Sequence, residues 1–349
     1  MMSTAQYRSI RRCRHASREN RRLIKRSHPG SGYSQPVKSA ADCETLPVSL
    51  VARLLITFET ALNTKDFVIT SELILGSRSG DEDIRLQADV LRGHVDAALV
   101  TDNQSGRLHM SSLAASVLLL QEGIDPIMQL GCRNRNRVAL LGDLLGATTL
   151  GIRSLQIVRG ERVPDGFKPR PNAMLDVTAT ELIEMANKMK LGEGVVKLPE
   201  LMLGGIATPR APKPTWAARK LLQKIDAGAR FLLTHTCMDL DILEPFLQRL
   251  VALKVTHRSN ILATIAVLGS SQDARWLREN KPNIAIPKDI VERLGASSDP
   301  RSEGIAIAAE MLQKLARMPG LSGAHLYSPG DLRAVAEAIE ASGLHPAAA

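Results

Sequence analysis

Residues 126–131, Pro126-Ile127-Met128-Gln129-Leu130-Gly131, form a short, nearly continuous apolar run. Residues 136–149 follow with a helical pattern, and Gly151 stands where that helix should stop. At 154–159, Ser-Leu-Gln-Ile-Val-Arg, the chain returns to a second apolar run. A strand whose side chains do not alternate between apolar and polar is covered on both faces, as in a parallel sheet. Two parallel neighbours cannot be joined by a hairpin, and the intervening helix supplies the crossover.

The same unit repeats in both directions. Further strands are expected at 67–71, 96–101, 202–207, 230–235, 261–268 and 323–327. Helices are expected at 82–93, 110–122, 178–190, 215–227, 239–253, 272–279 with 303–316, and 329–342. Gly123 and Gly228 punctuate two of them as Gly151 does the third. Eight strand–helix units over about 280 residues point to an α/β protein folded as a single (β/α)8 TIM-type barrel. A doubly wound sheet is the rival architecture. It would call for a nucleotide fingerprint after the first strand, and neither GxGxxG nor GxxxxGK occurs in the sequence.

The barrel is assigned to residues 51–349, and residues 1–50 read as a basic, disordered tail. Ten Lys and Arg against three acids in residues 1–44 carry +7 of the chain's net +9, leaving +2 for the remainder. An over-extended gene start and an Arg-rich organelle transit peptide share that composition, so the expected compartment is cytoplasmic or organellar. Because the charge belongs to the tail, and aromatic residues are 3% of the chain, a nucleic-acid partner is not expected. If the tail did bind nucleic acid, binding would depend steeply on salt. No apolar run approaches the ~20 residues that span a bilayer. The four cysteines, Cys13, Cys43, Cys132 and Cys237, form no CxxC pair, and the eight histidines show no HExxH spacing. Neither a disulfide framework nor a metal site is expected.

In a barrel the functional groups project from the C-terminal strand ends. Those ends carry Glu72, Thr101-Asp102-Asn103, Gln129, Cys132-Arg133, Gly160-Glu161, Ala207-Thr208, His235 and Tyr327. Singly, each has an ordinary explanation. Glu72 reads equally as a solvated loop carboxylate, Asp102-Asn103 as a turn or helix cap, and His235 as a hydrogen-bonded core histidine. Their recurrence at strand ends favours a shared site.

Val100-Thr101-Asp102-Asn103-Gln104-Ser105-Gly106-Arg107-Leu108-His109-Met110-Ser111 resembles the VTDNPxxRxxMS segment of the microbial methylenetetrahydrofolate reductases. Cys132-Arg133-Asn134-Arg135-Asn136-Arg137, followed by Asp143-Leu144-Leu145-Gly146-Ala147, resembles that family's CRDRNR and DLLGA elements. Lys224-Ile225-Asp226-Ala227-Gly228-Ala229 is similar to its KVDAGA, and Gly323-Ala324-His325-Leu326 to its GVHL. The likeness runs in order over residues 66–345, and the CRNRNR…DLLGA block is its most specific part.

The resemblance implies a flavin-bearing barrel that reduces methylene-tetrahydrofolate to methyl-tetrahydrofolate. FAD is the implied cofactor, NADH or NADPH the co-substrate, and a homo-oligomer or a partner subunit the implied assembly. Opening the folate bridge needs a carboxylic acid to protonate the leaving nitrogen. Glu72 fills the family's position for that acid. Glu161, after Arg159-Gly160, stands where the family has a second carboxylate, an aspartate. Thr101, Gln129, Arg159, Ala207 and Lys224 map to flavin contacts, with Lys224 near the diphosphate, although a plain surface lysine is its ordinary reading. His235, Asp102 and Tyr327 map to the substrate side. The chain departs from the family at His235, where a glutamine amide usually meets the pterin. An imidazole carries its donor and acceptor on opposite ring edges and cannot copy that paired contact. This departure admits a non-reducing folate-binding paralogue as the alternative.

Overall fold

A computed structural model describes residues 57–193, 197–281 and 283–344. The tail assigned to residues 1–50 lies outside the described residues.

Eight parallel strands close into a barrel in sequence order. They are β1 (Val68–Glu72), β2 (Ala97–Val100), β3 (Pro126–Gly131), β4 (Ser154–Val158), β5 (Met202–Ala207), β6 (Phe231–Thr234), β7 (Asn260–Ala266) and β8 (Gly323–Tyr327). Closure comes from β1, which pairs with β2 through Thr70↔Ala97 and with β8 through Val68↔Gly323. The expected strands are all present within two residues, and those at 126–131, 202–207 and 323–327 match at both ends.

The outer helices are α2 (Asp81–Leu91), α3 (Ser112–Gln121), α4 (Arg137–Thr149), α5 (Ala179–Leu191), α6 (Arg219–Asp226), α7 (Leu240–Ala252), α8 (Ser271–Asn280), α9 (Lys288–Ala296), α10 (Pro300–Ala316) and α11 (Leu332–Ser342). They are preceded by a short helix, α1 (Phe58–Thr64). Side chains start many of them. Ser111, Asn136 and Ser270 accept hydrogen bonds from backbone N–H groups in the first turns of α3, α4 and α8, while Thr178 and Glu181 form a reciprocal capping box on α5. Gly123, Gly151 and Gly228 follow helix ends at φ of +83°, +92° and +122°. Two helices depart from the sequence expectation. The helix expected from 215 begins only at Arg219, because Trp216 packs on Phe246 and the carbonyls of Pro214 and Trp216 accept from Arg249. The turns of α9 fall in a stretch for which no helix was expected, starting directly after Pro287.

Alternation along the strands divides the barrel interior into a dry end and a polar end. At the N-terminal end Val68, Ala97, Ile127, Met202, Phe231 and Leu262 face inward, and α1 plugs the opening with Phe58, Ala61 and Leu62. The Phe58 and Phe231 rings meet edge to face at 5.0 Å. Phe231 also lies against Gly204, where any β-carbon would come within 2.2 Å of the ring. Asp125 anchors the plug by accepting the Phe58 N–H at 2.7 Å. The other end of the barrel is left open for chemistry.

Candidate functional site

Above Leu99 and Leu233, which cap the dry layer, the inward positions turn polar. Thr70, Gln129, Gln156, Thr264 and His325 occupy the next level, and Glu72, Thr101, His235 and Tyr327 stand at or just beyond the strand ends. With the loops after the strands, all of these but Thr70 line a cavity of about 630 Å³. Its rim is more apolar on one side, where Ile74, Leu75, Leu277, Ile284 and the half-exposed Trp276 line it.

Glu72 ends β1 with each carboxyl oxygen differently engaged. Gln104 donates its amide N–H to Oε1 at 2.5 Å. Oε2 faces the His325 Nε2 at 3.9 Å. On the other side of that ring, Nδ1 lies 3.0 Å from the Thr70 hydroxyl, which itself reaches the Ala324 carbonyl at 3.3 Å. If Thr70 donates to that carbonyl, it accepts from Nδ1–H, and the lone pair of Nε2 is left pointing at Glu72. Nε2 is buried and has no hydrogen-bond partner among the described residues, and the same holds for the hydroxyls of Thr101 and Thr264 in the cavity wall. Unpaired buried polar atoms are uncommon enough to mark a place for a ligand. Tyr327 accepts from the Thr236 hydroxyl at 3.3 Å, and burial, aided by the nearby charge of Glu72, pushes its phenol up to about 12. It therefore stays protonated as a donor.

Gln129 and Gln156 tie the floor together, Gln129 donating to Gln156 at 2.8 Å and accepting from the Asp102 N–H at 3.1 Å. At the mouth, Lys281 donates to Glu161 at 2.8 Å and to Ser105 at 2.9 Å. His235 projects toward the cavity with no side-chain hydrogen bond among the described residues. Burial is the main cause that holds it below the usual imidazole value; Glu161 opposes, and Lys224, Lys281 and Arg210 reinforce it. It is neutral at pH 7.

The residues expected from the sequence divide into two groups. Glu72, Thr101, Gln129, Glu161, His235 and Tyr327 converge on the one cavity. Asp102, Arg159, Ala207 and Lys224 are not among its lining residues. Asp102 is turned away, accepting the Gly131 N–H at 2.8 Å and both terminal nitrogens of Arg135 at 2.5 and 3.2 Å. Arg135 also pairs with Asp143 at 2.9 Å, and Arg137 with Asp176 at 3.0 Å. The CRNRNR…DLLGA block thus serves as an ionic lock that joins the ends of β2 and β3 to α4 and the loop after β4. Arg159 is exposed and Ala207 is buried. Lys224 stands behind the cavity wall and donates to the carbonyl of Ile206, a lining residue, at 2.5 Å. Burial and the neighbouring Lys220 hold its pKa down, and it has no carboxylate partner among the described residues.

Among the cavity residues that sequence reasoning passed over are Gln104, Gln156, Thr264, Trp276, Lys281 and His325. A signal existed for three of them. Gln156, Thr264 and His325 lie within strands, where a side chain two residues before an inward strand end shares its direction. Gln104 sits where the resembled motif has proline, a residue with no side-chain donor for Glu72. Trp276 and Lys281 belong to the β7–α8 region and carried no local signal.

A profile of the methylenetetrahydrofolate reductases matches residues 61–343. The chain belongs to the methylenetetrahydrofolate reductase family. That membership places it among oxidoreductases built on a (β/α)8 barrel, as the resemblance implied. No match to a curated protein is found. Among solved structures the chain is similar to EDTA monooxygenase (EmoA) from Chelativorans sp. BNC1, at 11% identity and a TM-score of 0.44, over 80% of this chain and 92% of that one. Among the described residues no group of three or more His, Cys, Asp and Glu side chains is placed to hold a metal ion. Cys132 and Cys237 are free and buried, their thiols pushed up to about 11 and about 12 chiefly by burial. Among the described residues no helix is long and apolar enough to cross a membrane.

Proposed function

We propose that this family member is a flavin-dependent reductase that converts methylene-tetrahydrofolate to methyl-tetrahydrofolate at the expense of NADH or NADPH. The observation that carries the reading is Glu72, set in the cavity wall at the end of β1 with a donor on one oxygen and the unpartnered His325 Nε2 facing the other.

The residues present suit a flavin. The cavity volume and the orphaned hydroxyls of Thr101 and Thr264 suit the polar edge of a planar ring system. Lys224, a half-buried cation without a carboxylate partner among the described residues, suits a diphosphate. Thr101 and Gln129 would hold the ring, with Arg159, Ala207 and Lys224 toward the adenosine diphosphate. When bound, the flavin supplies the hydride chemistry, taking a hydride from the nicotinamide and passing one to the folate bridge.

The chain's own task is the proton. As the five-membered bridge ring of the folate opens, the departing nitrogen needs a proton, and the Glu72 carboxyl gives it. His235 and Tyr327 offer donors and acceptors to the substrate, and the apolar rim beside Trp276 excludes water from one side. Addition of one hydride and one proton balances the reduction of methylene to methyl. Asp102, spent on Gly131 and Arg135, acts by holding the loop that carries Thr101 and Gln104.

A non-reducing folate-binding paralogue remains the second reading, favoured by one contact. Glu161, the family's second carboxylate position, is engaged by Lys281. Glu72→Gln separates the two. A glutamine keeps an acceptor for Gln104 but has no acidic proton, so flavin should stay bound and reducible by nicotinamide while folate turnover falls by about 10²–10⁴-fold. Undiminished folate turnover in that variant would remove Glu72 from the mechanism.

A further inference from the structure

Three arginines without a part in the proposed reduction meet beside the mouth of the large cavity. Arg133 follows the end of β3, while Arg162 and Arg170 stand on the long loop between β4 and α5. With the amides of Asn134 and Asn172 they line a second cavity of about 270 Å³. The two cavities share no lining residue, yet they adjoin in the chain, because Glu161 belongs to the first and Arg162 to the second. Among the described lining residues of the second cavity there is no Asp or Glu. The carboxylate nearby, Asp165, is exposed and divided between two guanidiniums, Arg162 at 3.1 Å and Arg170 at 2.9 Å. Arg133 donates from Nε to the Gly160 carbonyl at 3.3 Å, and its terminal nitrogens have no hydrogen-bond partner among the described residues. The set therefore carries three positive charges against one negative.

The backbone that presents these side chains is pinned on both sides. Gly106 packs so closely on the loop that a β-carbon there would collide with the Arg162 carbonyl, and Gly160 sits against the Arg133 β-carbon. Further along the loop, the Met174 N–H donates to the Arg133 carbonyl at 2.8 Å, and Asp176 is fixed by Arg137. The cationic cluster is thus held together by contacts that do not consume its charge.

We propose that this second cavity binds a dianionic phosphate group, as a monoester or as free phosphate. A guanidinium presents its N–H donors in a planar fork that matches phosphate oxygens, and several forks suit a tetrahedral dianion better than a flat, singly charged carboxylate. The amides of Asn134 and Asn172 add neutral donors. The charges also balance, two negative on the ligand against a surplus of two positive in the site. At about 270 Å³ the cavity falls below the ~300 Å³ at which pockets for whole small molecules begin. A phosphate and its point of attachment fit, and a whole flavin dinucleotide does not. Two sources carry such a group. One is the 2′-phosphate of NADPH reaching over from the neighbouring cavity, and that source rests on the reductase reading. NADH has no phosphate monoester, so Arg133, Arg162 and Arg170 would then choose between the two nicotinamides. The other source is free phosphate, which needs no such reading.

The test is isothermal titration calorimetry of the full-length protein with inorganic phosphate, NADP⁺ and NAD⁺, at constant ionic strength and about pH 8, where a phosphate monoester is dianionic. The oxidised nicotinamides report binding without turnover. Arg162→Gln combined with Arg170→Gln removes two of the forks, whereas Ala173→Glu keeps them and places a carboxylate in the cavity. Arg230→Gln, at an exposed position beside the start of β6 and so at the opposite end of the barrel, controls for general charge. The ten basic residues within positions 1–44 are the same in every variant. Phosphate should bind the wild type and the control alike, and both cavity variants about tenfold or more weakly. If NADP⁺ binds more tightly than NAD⁺ and the cavity variants erase that difference, the phosphate is the cosubstrate's. Without that dependence, and with the expected losses for phosphate, the ligand is free phosphate. Phosphate that does not bind, or that binds either cavity variant as well as the control, overturns the proposal. None of these readouts uses flavin bleaching, so failure of the reductase reading shows separately, in the spectrum.

Discussion

Asp125 offers a sharp test of how the barrel is sealed. Its carboxylate lies 4% exposed at the start of β3, accepts the first N–H of α1 and so holds the plug against the dry end. Burial, only partly opposed by the Phe58 N–H and by Arg153, pushes its pKa up to about 6. The unfolded value is near 3.9, a gap of about two units, and each unit corresponds to 1.36 kcal/mol, so ionising this carboxyl in the folded protein costs about 3 kcal/mol. The positive end of α1 offsets up to about 1 kcal/mol of that. Because the folded state holds the proton more tightly, the group's contribution is fully present below pH 4. It is lost as pH rises through about 6. Asp125→Asn keeps an acceptor for Phe58 and has no charge to bury. Urea denaturation of both proteins at pH 4, 5, 6, 7 and 8 should show near-equality at pH 4 and a variant more stable by about 2 kcal/mol at pH 8. A variant less stable than wild type at pH 8, or an offset that does not change with pH, would refute the reasoning.

Three further substitutions probe the site and its supports. His235→Gln should strengthen folate binding several-fold, measured by titration of the purified protein, if this pocket receives a pterin edge; weaker binding would assign the imidazole to another ligand. Asp102→Ala leaves the Gly131 N–H and half of Arg135 without their acceptor and should cost about 2–4 kcal/mol in denaturant melts. Its effect on turnover should follow that loss of stability, and a rise in KM at unchanged stability would return Asp102 to substrate contact. Gly204→Ala drives a methyl group into the Phe231 ring and should destabilise the barrel by about 3 kcal/mol through overpacking. A neutral effect on melting would mean that the Phe58–Phe231 pair moves freely.

The barrel was legible because its physics is local and repeated. Each strand is an apolar run covered on both faces, and helices such as α3, α4 and α5 start on a Ser, Asn or Thr cap and stop at or just before a glycine. Where local signals conflicted, the sequence reading slipped. Trp216 continues an apparently helical pattern into α6, but its indole is taken up by Phe246, and its carbonyl, with that of Pro214, is held by Arg249. Glu72, Thr101, Gln129, His235 and Tyr327 were found from strand ends alone. Gln156, Thr264 and His325 were missed because the strands there read as continuous apolar runs, which hides which single polar residue faces the axis. The apparent function of Asp102 came from its place in a motif. Its contacts depend on Arg135, 33 residues away, a pairing that no local pattern announces.

The central claim is tested most directly by the visible spectrum of the full-length protein, purified or reconstituted with FAD. It is recorded before and after anaerobic NADH or NADPH, and again after methylene-tetrahydrofolate. The account predicts a flavin spectrum that bleaches with the nicotinamide and returns with the folate. A bound flavin that stays bleached in the presence of folate, or a protein that takes up no FAD, would contradict it.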